Sequence, residues 1–320
     1  MARINQAQNT IERSAGGKTS GVFIITDPAV GKVVGVLKPV KPPEIFANKL
    51  FALLGMPIPD FDIANKTDFN DTIVQTIAQK ASANIAQGKI MMVMKPVEGR
   101  SMSEYGVADL KEFFLSDQNL ELLGKSMVLD IFTGNSDRIV PFTPNVINPD
   151  NIMFQNNCVV FIDQAFHERG TKKESVFSHL AIAMEAEPGT SNDNNRVYGK
   201  YILPLVDRAL QKYKKVAMSQ KNESLIIDNT LEDFTSSIDI YQENRISEIV
   251  ASGILDGVQL LLENEDKVLE LCASDAPDAS DTSAAAKALN AAVKARQLDI
   301  VTTYAGLKRQ SAFFKEEASC

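Results

Sequence analysis

The sequence holds no tryptophan, two histidines and three cysteines in 320 residues, and each scarcity removes a class of chemistry. With only His167 and His179, a poly-histidine metal centre is nearly excluded, and His-dependent hydrolase triads have little support. Cys158, Cys272 and Cys320 form an odd set without C-x-x-C spacing, so neither a disulfide framework nor a structural zinc site follows. No window approaches about 20 consecutive apolar residues, and no transmembrane segment is expected. The amino terminus, MARINQAQNT, lacks the apolar core of a signal peptide. A reducing, cytoplasmic setting is the default, which leaves open delivery of a secreted effector to a host cytosol. Basic residues are in the minority: 33 Lys and Arg stand against 41 Asp and Glu, for a net charge of -8. That balance argues against nucleic acid as the main partner, because phosphate binding needs basic surface.

What is present describes a soluble globular chain, with 44% hydrophobic and 23% charged residues. Gly16, Gly17 and Gly21 precede the apolar run Val22–Ile25. Asp27–Gly31 makes a turn, and Val33–Leu37 returns as a second strand ending at Lys38. Ile45, Phe46, Leu50, Leu53 and Leu54 then follow helical spacing until Gly55 and Pro57. Residues 62–88 are polar and Asn-rich and carry no clear period, whereas Ile90–Met94 reads as a short strand. Helices are expected from about Asp109 to Phe114 and from about Asn119 to Phe132. Two short strands follow, Asn151–Phe154 and Cys158–Ile162, split by the turn residues Asn156 and Asn157. From about Lys173 the pattern is mostly helical, with a Ser/Ala/Asp-rich stretch at 274–286. The expected class is α+β, with a strand-rich lobe at 1–97 and a helical lobe at 98–320, of which 225–320 either completes that lobe or forms a helical appendage.

Three segments carry the chemistry: the glycine-rich hairpin ending at Lys38, the stretch Leu129–Arg138 containing Gly134-Asn135-Ser136-Asp137-Arg138, and Asp150–Phe154 with Phe161-Ile162-Asp163-Gln164 behind it. Phosphoryl transfer needs backbone amides over phosphates, a lysine on them, an acid facing the hydroxyl, and oxygen ligands for a divalent cation. Asn151 opens one strand and Asp163 ends the next, 12 residues on. A two-strand hairpin of that length brings both side chains to one end, where an amide oxygen and a carboxylate can share a cation. Asp130, one helical turn before Gly134, reads as a buried structural acid bonding the loop.

The order GNSDR, a long insert, NIMF and FIDQ resembles the actin-fragmin kinase branch of the protein kinase-like superfamily. It is more distantly similar to phosphoinositide 3/4-kinases and HipA-type kinases. The likeness spans residues from about 14 to about 166. It implies a two-lobed protein kinase-like fold that uses ATP with Mg2+ or Mn2+. By the resemblance, Lys38 is the phosphate-binding strand lysine, Glu44 the helix glutamate that orients it, and Asp137 the catalytic base. Asn151 and Asp163 are implied as metal ligands, Gly16, Gly17 and Gly21 as the phosphate-covering loop, and Met94, Lys95 and Val97 as the adenine-binding segment. The sequence departs from an ordinary kinase in three places. Asp137 and Asn151 lie 14 residues apart, against about five in a usual catalytic loop. Gln164-Ala165 follows Asp163, and Glu44 follows Lys38 by only six residues. Glu44 therefore has a second reading, as a helix-start carboxylate facing the macrodipole.

The implied function is phosphoryl transfer, foremost to a protein hydroxyl. Alternatives are a phosphoinositide or small-molecule kinase on the same fold, with Arg169, Lys172 and Lys173 as the few basic residues after Asp163, and a nucleotide-binding pseudokinase or scaffold. Arg208, Lys212, Lys214 and Lys215 form a basic stretch that reads either as a solvated helix face or as a site for an anionic ligand such as an inositol phosphate or phosphoinositide. His167 and His179 are read as packing or solvent-facing, and Cys158 as core.

Overall fold

Alternating burial along Phe23–Asp27 (β2) and Lys32–Pro39 (β3) builds the hairpin that the sequence predicts. Its turn is set by Asp27, whose Oδ1 accepts from the Ala29 amide at 2.9 Å, and by Gly31 at φ 64°, a left-handed position that costs glycine nothing. The computed structural model describes residues 9–13, 21–65, 68–69, 71–80, 90–135, 137–139, 147–166, 197–219, 229–274 and 291–296. The architecture is mixed α+β, as expected.

By compactness the chain divides into two units, Met1–Ile45 with Ile58–Glu98, and Phe46–Pro57 with Gly99–Cys320. In the first unit, Thr10–Arg13 (β1), β2, β3, Phe61–Asn65 (β4) and Ile90–Met94 (β5) form one antiparallel sheet in the order β1-β2-β3-β5-β4. Phe23, Ile25, Leu37, Met91 and Val93 bury one face against Ile73 and Ile77 of Asp71–Lys80 (α2). Strand alternation turns Lys38, paired with Met92, to the opposite face. There Val40, Ile45 and Met92 make a second small apolar cluster.

Pro42–Leu53 (α1) begins in the first unit, but from Phe46 onward it belongs to the second. Expectation kept 46–57 with the strand-rich half; the structure does not. The reason is packing: the Phe46 ring meets the Phe166 ring edge-on at 5.3 Å, and the Pro57 carbonyl accepts from the Phe161 amide at 2.8 Å.

The second unit holds Arg100–Ser101 (β6), Ile152–Gln155 (β7) and Cys158–Phe161 (β8) as a three-stranded sheet in that order. Its helices are Val107–Phe114 (α3), Asp117–Thr133 (α4), Leu203–Ser219 (α5), Leu231–Ser236 (α6), Ile240–Glu263 (α7) and Glu265–Ser274 (α8). Residues 291–296 are also helical. The long α7 packs along α4 at glycine positions: a Cβ on Gly124 would meet the Val250 carbonyl oxygen at 2.2 Å, and one on Gly253 the Glu121 carbonyl oxygen at 2.2 Å. Within 225–320, α7 packs closely on α4. Among the described residues, no helix is long and apolar enough to cross a membrane.

Candidate functional site

Lys38, one residue from the end of β3, is 5% exposed. Its Nζ lies 2.9 Å from Glu44 Oε1. The six-residue separation is short, but the chain turns at once: Pro42 and Pro43 fill the first helical positions of α1, where the missing N–H is no loss and φ is already helical. Glu44 then falls in the first turn, and its Oε2 accepts the Lys41 amide at 3.1 Å. One Glu44 carboxylate oxygen thus pairs with Lys38 and the other caps the start of α1.

In the second unit the site grows out of the end of α4. Gly134, at φ 70°, stops the helix. The Asn135 amide bonds back to the Asp130 carbonyl at 2.8 Å, and its Nδ2 to Asp130 Oδ1 at 3.2 Å. Asn135 Oδ1 in turn accepts the Asp137 amide at 3.2 Å. Arg138 follows, fully buried, with Nη1 on Asp130 Oδ1 at 2.9 Å. Its guanidinium lies over the Phe51 and Phe161 rings at 5.3 and 5.1 Å, which is how so large a cation is tolerated inside. Asp130 is accordingly the buried structural acid that its position suggested. Burial pushes its carboxyl from 3.8 up to about 7 against the pull of Arg138.

Arg138 also donates from Nη2 to the Ile162 carbonyl at 2.9 Å, while the Ile162 amide donates to the Asn151 carbonyl at 3.1 Å. With both backbone groups of Ile162 engaged, the chain turns sharply, and Asp163 takes φ 60°. This is a left-handed conformation that aspartate adopts more readily than most residues. The β7–β8 hairpin turns at Asn156 and Asn157, φ 52° and 63°, the signature of a type I′ connection. Asn119 of α4 holds that turn, donating to the Asn157 carbonyl at 3.1 Å and accepting from the Val159 amide at 3.1 Å. Ile152 pairs with Phe161, so Asn151 and Asp163 flank the same open end, as the 12-residue spacing requires.

Asn151 Nδ2 donates to the Asp137 carbonyl at 2.7 Å and to Asp137 Oδ2 at 3.3 Å. These bonds join the two sequence motifs and leave the amide oxygen as the end suited to a cation. The Asp137 carboxyl is raised above the ordinary aspartate value, first by loss of solvent and second by the Asp163 carboxylate. The carboxylate of Asp163, which raises Asp137, and the Asn151 amide oxygen are the groups here that could hold a hard divalent cation, which takes oxygen ligands. Among the described residues, no three of His, Cys, Asp and Glu converge as a closed metal cage.

The remaining expected residues fare differently. Gly16 and Gly17 lie outside the described residues; Gly21, at φ 69°, ends the connection between β1 and β2, whose facing pair is Arg13 and Phe23. Met94 ends β5. Lys95 spends its amide on the Asp60 carbonyl at 2.9 Å and its ammonium on Asp60 Oδ2 at 2.6 Å, which gives its assignment to an adenine no support; Val97 is half-buried. Of the basic stretch, Lys212 is half-buried and bonds Asn148 and Asp150, and Arg208 donates to Gln211 at 3.4 Å; Lys214 and Lys215 stay on α5. Cys158 is a half-buried thiol rather than a core residue, because its place at the start of β8 adjoins the exposed turn. His167, His179, Arg169, Lys172 and Lys173 lie outside the described residues. Sequence reasoning missed the part played by Asn135 and Arg138 in tying Asp137 to Ile162. The available signal was their fixed offset from Asp130 on α4.

No family model matches the chain, and no curated protein matches it.

Proposed function

We propose that the chain is an ATP-dependent, divalent-metal-dependent phosphotransferase with a two-lobed, kinase-like fold, acting on a protein hydroxyl. The observation that carries this reading is the meeting of Asp137, Asn151 and Asp163 at one end of the β7–β8 hairpin, with Asn151 bonded to Asp137. The Lys38–Glu44 ion pair in the first unit supplies the other recurring part of such enzymes, a lysine oriented by a helix glutamate.

In this reading Asp137 accepts or orients the proton of the attacking hydroxyl. Its raised pKa suits that task, since a base works best when its proton affinity approaches the working pH. Asn151 fixes the Asp137 backbone and carboxylate through Nδ2, so the base is set before substrate arrives. Lys38, held by Glu44, contacts the α- and β-phosphates. Asn151 and Asp163 would hold Mg2+ or Mn2+, which when bound neutralises charge on the phosphates.

The test is incubation of the purified protein with γ-labelled ATP, Mg2+ or Mn2+, generic protein substrates and phosphoinositide vesicles, alongside the Asp137→Ala variant. Label on protein, absent with Asp137→Ala, supports the reading. Label on lipid alone would move the substrate class to phosphoinositides. ATP binding without transfer to any acceptor would leave a nucleotide-binding scaffold in its place.

A further inference from the structure

The long insert between Asp137 and Asn151 leaves and rejoins the site at a closed neck. The Asn148 amide donates to the Arg138 carbonyl at 3.3 Å, and Ile139 and Ile147 on either side are both buried. The chain then makes a single helical turn, Pro149–Asn151, in which the Asn151 amide donates to the Asn148 carbonyl at 3.1 Å. This turn sets the direction in which the Asn151 side chain leaves the backbone.

Two side chains from elsewhere grip the turn. Ser103 Oγ donates to Asp150 Oδ1. Lys212, on α5, donates to Asn148 Oδ1 at 2.5 Å and to Asp150 Oδ2 at 2.5 Å. One ammonium therefore clamps both of the polar residues that precede Asn151. The side chains of Lys212 and Asp150 are 24% and 51% exposed, and an ion pair this wet adds little to global stability. What it fixes is local geometry. A solvated basic face would not need an ammonium bonded twice to one turn, and an outward anion site would not spend it there.

We infer that Lys212 is a positioning residue of the candidate site: by clamping Asn148 and Asp150 it holds the turn that aims the Asn151 amide at Asp137. The inference rests on the phosphotransferase reading for its kinetic consequence alone; the structural consequence stands apart from it.

The experiment uses the full chain with Lys212→Met and Lys212→Arg, and Asp150→Asn as a second way to break the pair. Hydrogen exchange is followed at the Asn148 and Asn151 amides, and kcat and KM for ATP are measured in parallel. In Lys212→Met, exchange at those two amides should rise by about tenfold or more while α4 and α7 keep their protection. kcat should fall by about 10- to 100-fold with KM for ATP nearly unchanged, as expected for a misaimed group. Asp150→Asn should show the same local exchange, and Lys212→Arg should restore most of both readouts. Unchanged exchange at Asn148 and Asn151 would overturn the inference. So would protection lost throughout α4 and α7 in both Lys212→Met and Asp150→Asn, which marks a general stabiliser. If the unmutated chain transfers no phosphoryl group, the functional reading fails, and the exchange data still decide the role of Lys212.

Discussion

Glu44 divides its carboxylate between two tasks: Oε1 meets Lys38 Nζ at 2.9 Å and Oε2 accepts the Lys41 amide at 3.1 Å. The second bond is half of a capping box, the first an ion pair to a lysine that is 5% exposed. Substitutions separate the two. Glu44→Gln keeps an oxygen for Lys41 but removes the charge facing Lys38, so it should cost about 3 kcal/mol, the usual order for a buried ion pair that loses one partner. Glu44→Ala removes the capping oxygen as well and should cost about 1 kcal/mol more than Glu44→Gln. Thermal or denaturant unfolding of the two variants checks the order.

If the pair also orients Lys38 for a nucleotide, Lys38→Met and Glu44→Gln should each lower kcat/KM by about tenfold or more. The double variant should then be little worse than either alone, since residues that act as one unit are non-additive. A double-mutant cycle on labelled-ATP turnover measures this. Strict additivity would confine Glu44 to capping.

Asp163 at φ 60° determines which substitution is informative. Alanine would keep the left-handed β-carbon but lose the short polar side chain that eases that conformation, whereas Asp163→Asn removes the charge and tolerates the backbone. If the chain is the phosphotransferase proposed, Mg2+-dependent ATP affinity in Asp163→Asn should drop by about tenfold or more, while metal-free nucleotide binding stays close to the original. Calorimetric titration with and without Mg2+ tests this. The same change deletes the second cause of the raised Asp137 pKa, so Asp137 should titrate lower. Carboxyl NMR should see it still above the ordinary value, because burial remains.

Much of this was legible in the sequence where the signal is local. Alternation marked the β2–β3 hairpin, and the Asn156-Asn157 pair between two apolar runs set the register that brings Asn151 and Asp163 together. The rest depends on residues far apart in the chain. β1 lies in a polar amino-terminal stretch and is a strand only because β2 offers an edge. β4 and α2 fall in the Asn-rich 62–88, where Ile73 and Ile77 are too few to set a period. Nothing near Arg138 predicts its burial, which needs Phe51, Phe161 and Asp130 around it. Lys212 looked like one lysine of a basic face because its partners, Asn148 and Asp150, lie 64 and 62 residues away.

Asp130 predicts a pH dependence of stability. Its folded-state pKa is about 7 against an ordinary 3.8, so the folded chain binds a proton there that the unfolded chain has released. Its contribution is complete below pH 3.8 and is lost as pH rises toward 7, by on the order of 4 kcal/mol at most. Asp130→Asn has no such proton. The gap in Tm between the original chain and Asp130→Asn should therefore move against the original chain between pH 4 and pH 7, then level off. A gap that is flat with pH would show that Arg138 keeps Asp130 ionised throughout.

The glycines between α4 and α7 give a graded test of packing. Alanine at a helix interior usually gains up to about 1 kcal/mol over glycine. At Gly124 and Gly253, however, the added carbon would lie 2.2 Å from a backbone oxygen of the facing helix, and neither backbone can give way without moving its whole helix. Gly124→Ala and Gly253→Ala should each destabilise by about 1–3 kcal/mol, the usual cost of overpacking, which lowers Tm by several degrees. Gly257 is the internal control. A carbon there meets its nearest atoms, Lys125 Cα and Val128 Cβ, at 3.1 Å, so a slight shift relieves the contact. Gly257→Ala should thus fall near neutral, the propensity gain offsetting the crowding. Calorimetric melts of the three variants should rank Gly257→Ala well above the other two; equal Tm values would mean that α7 does not approach α4 this closely.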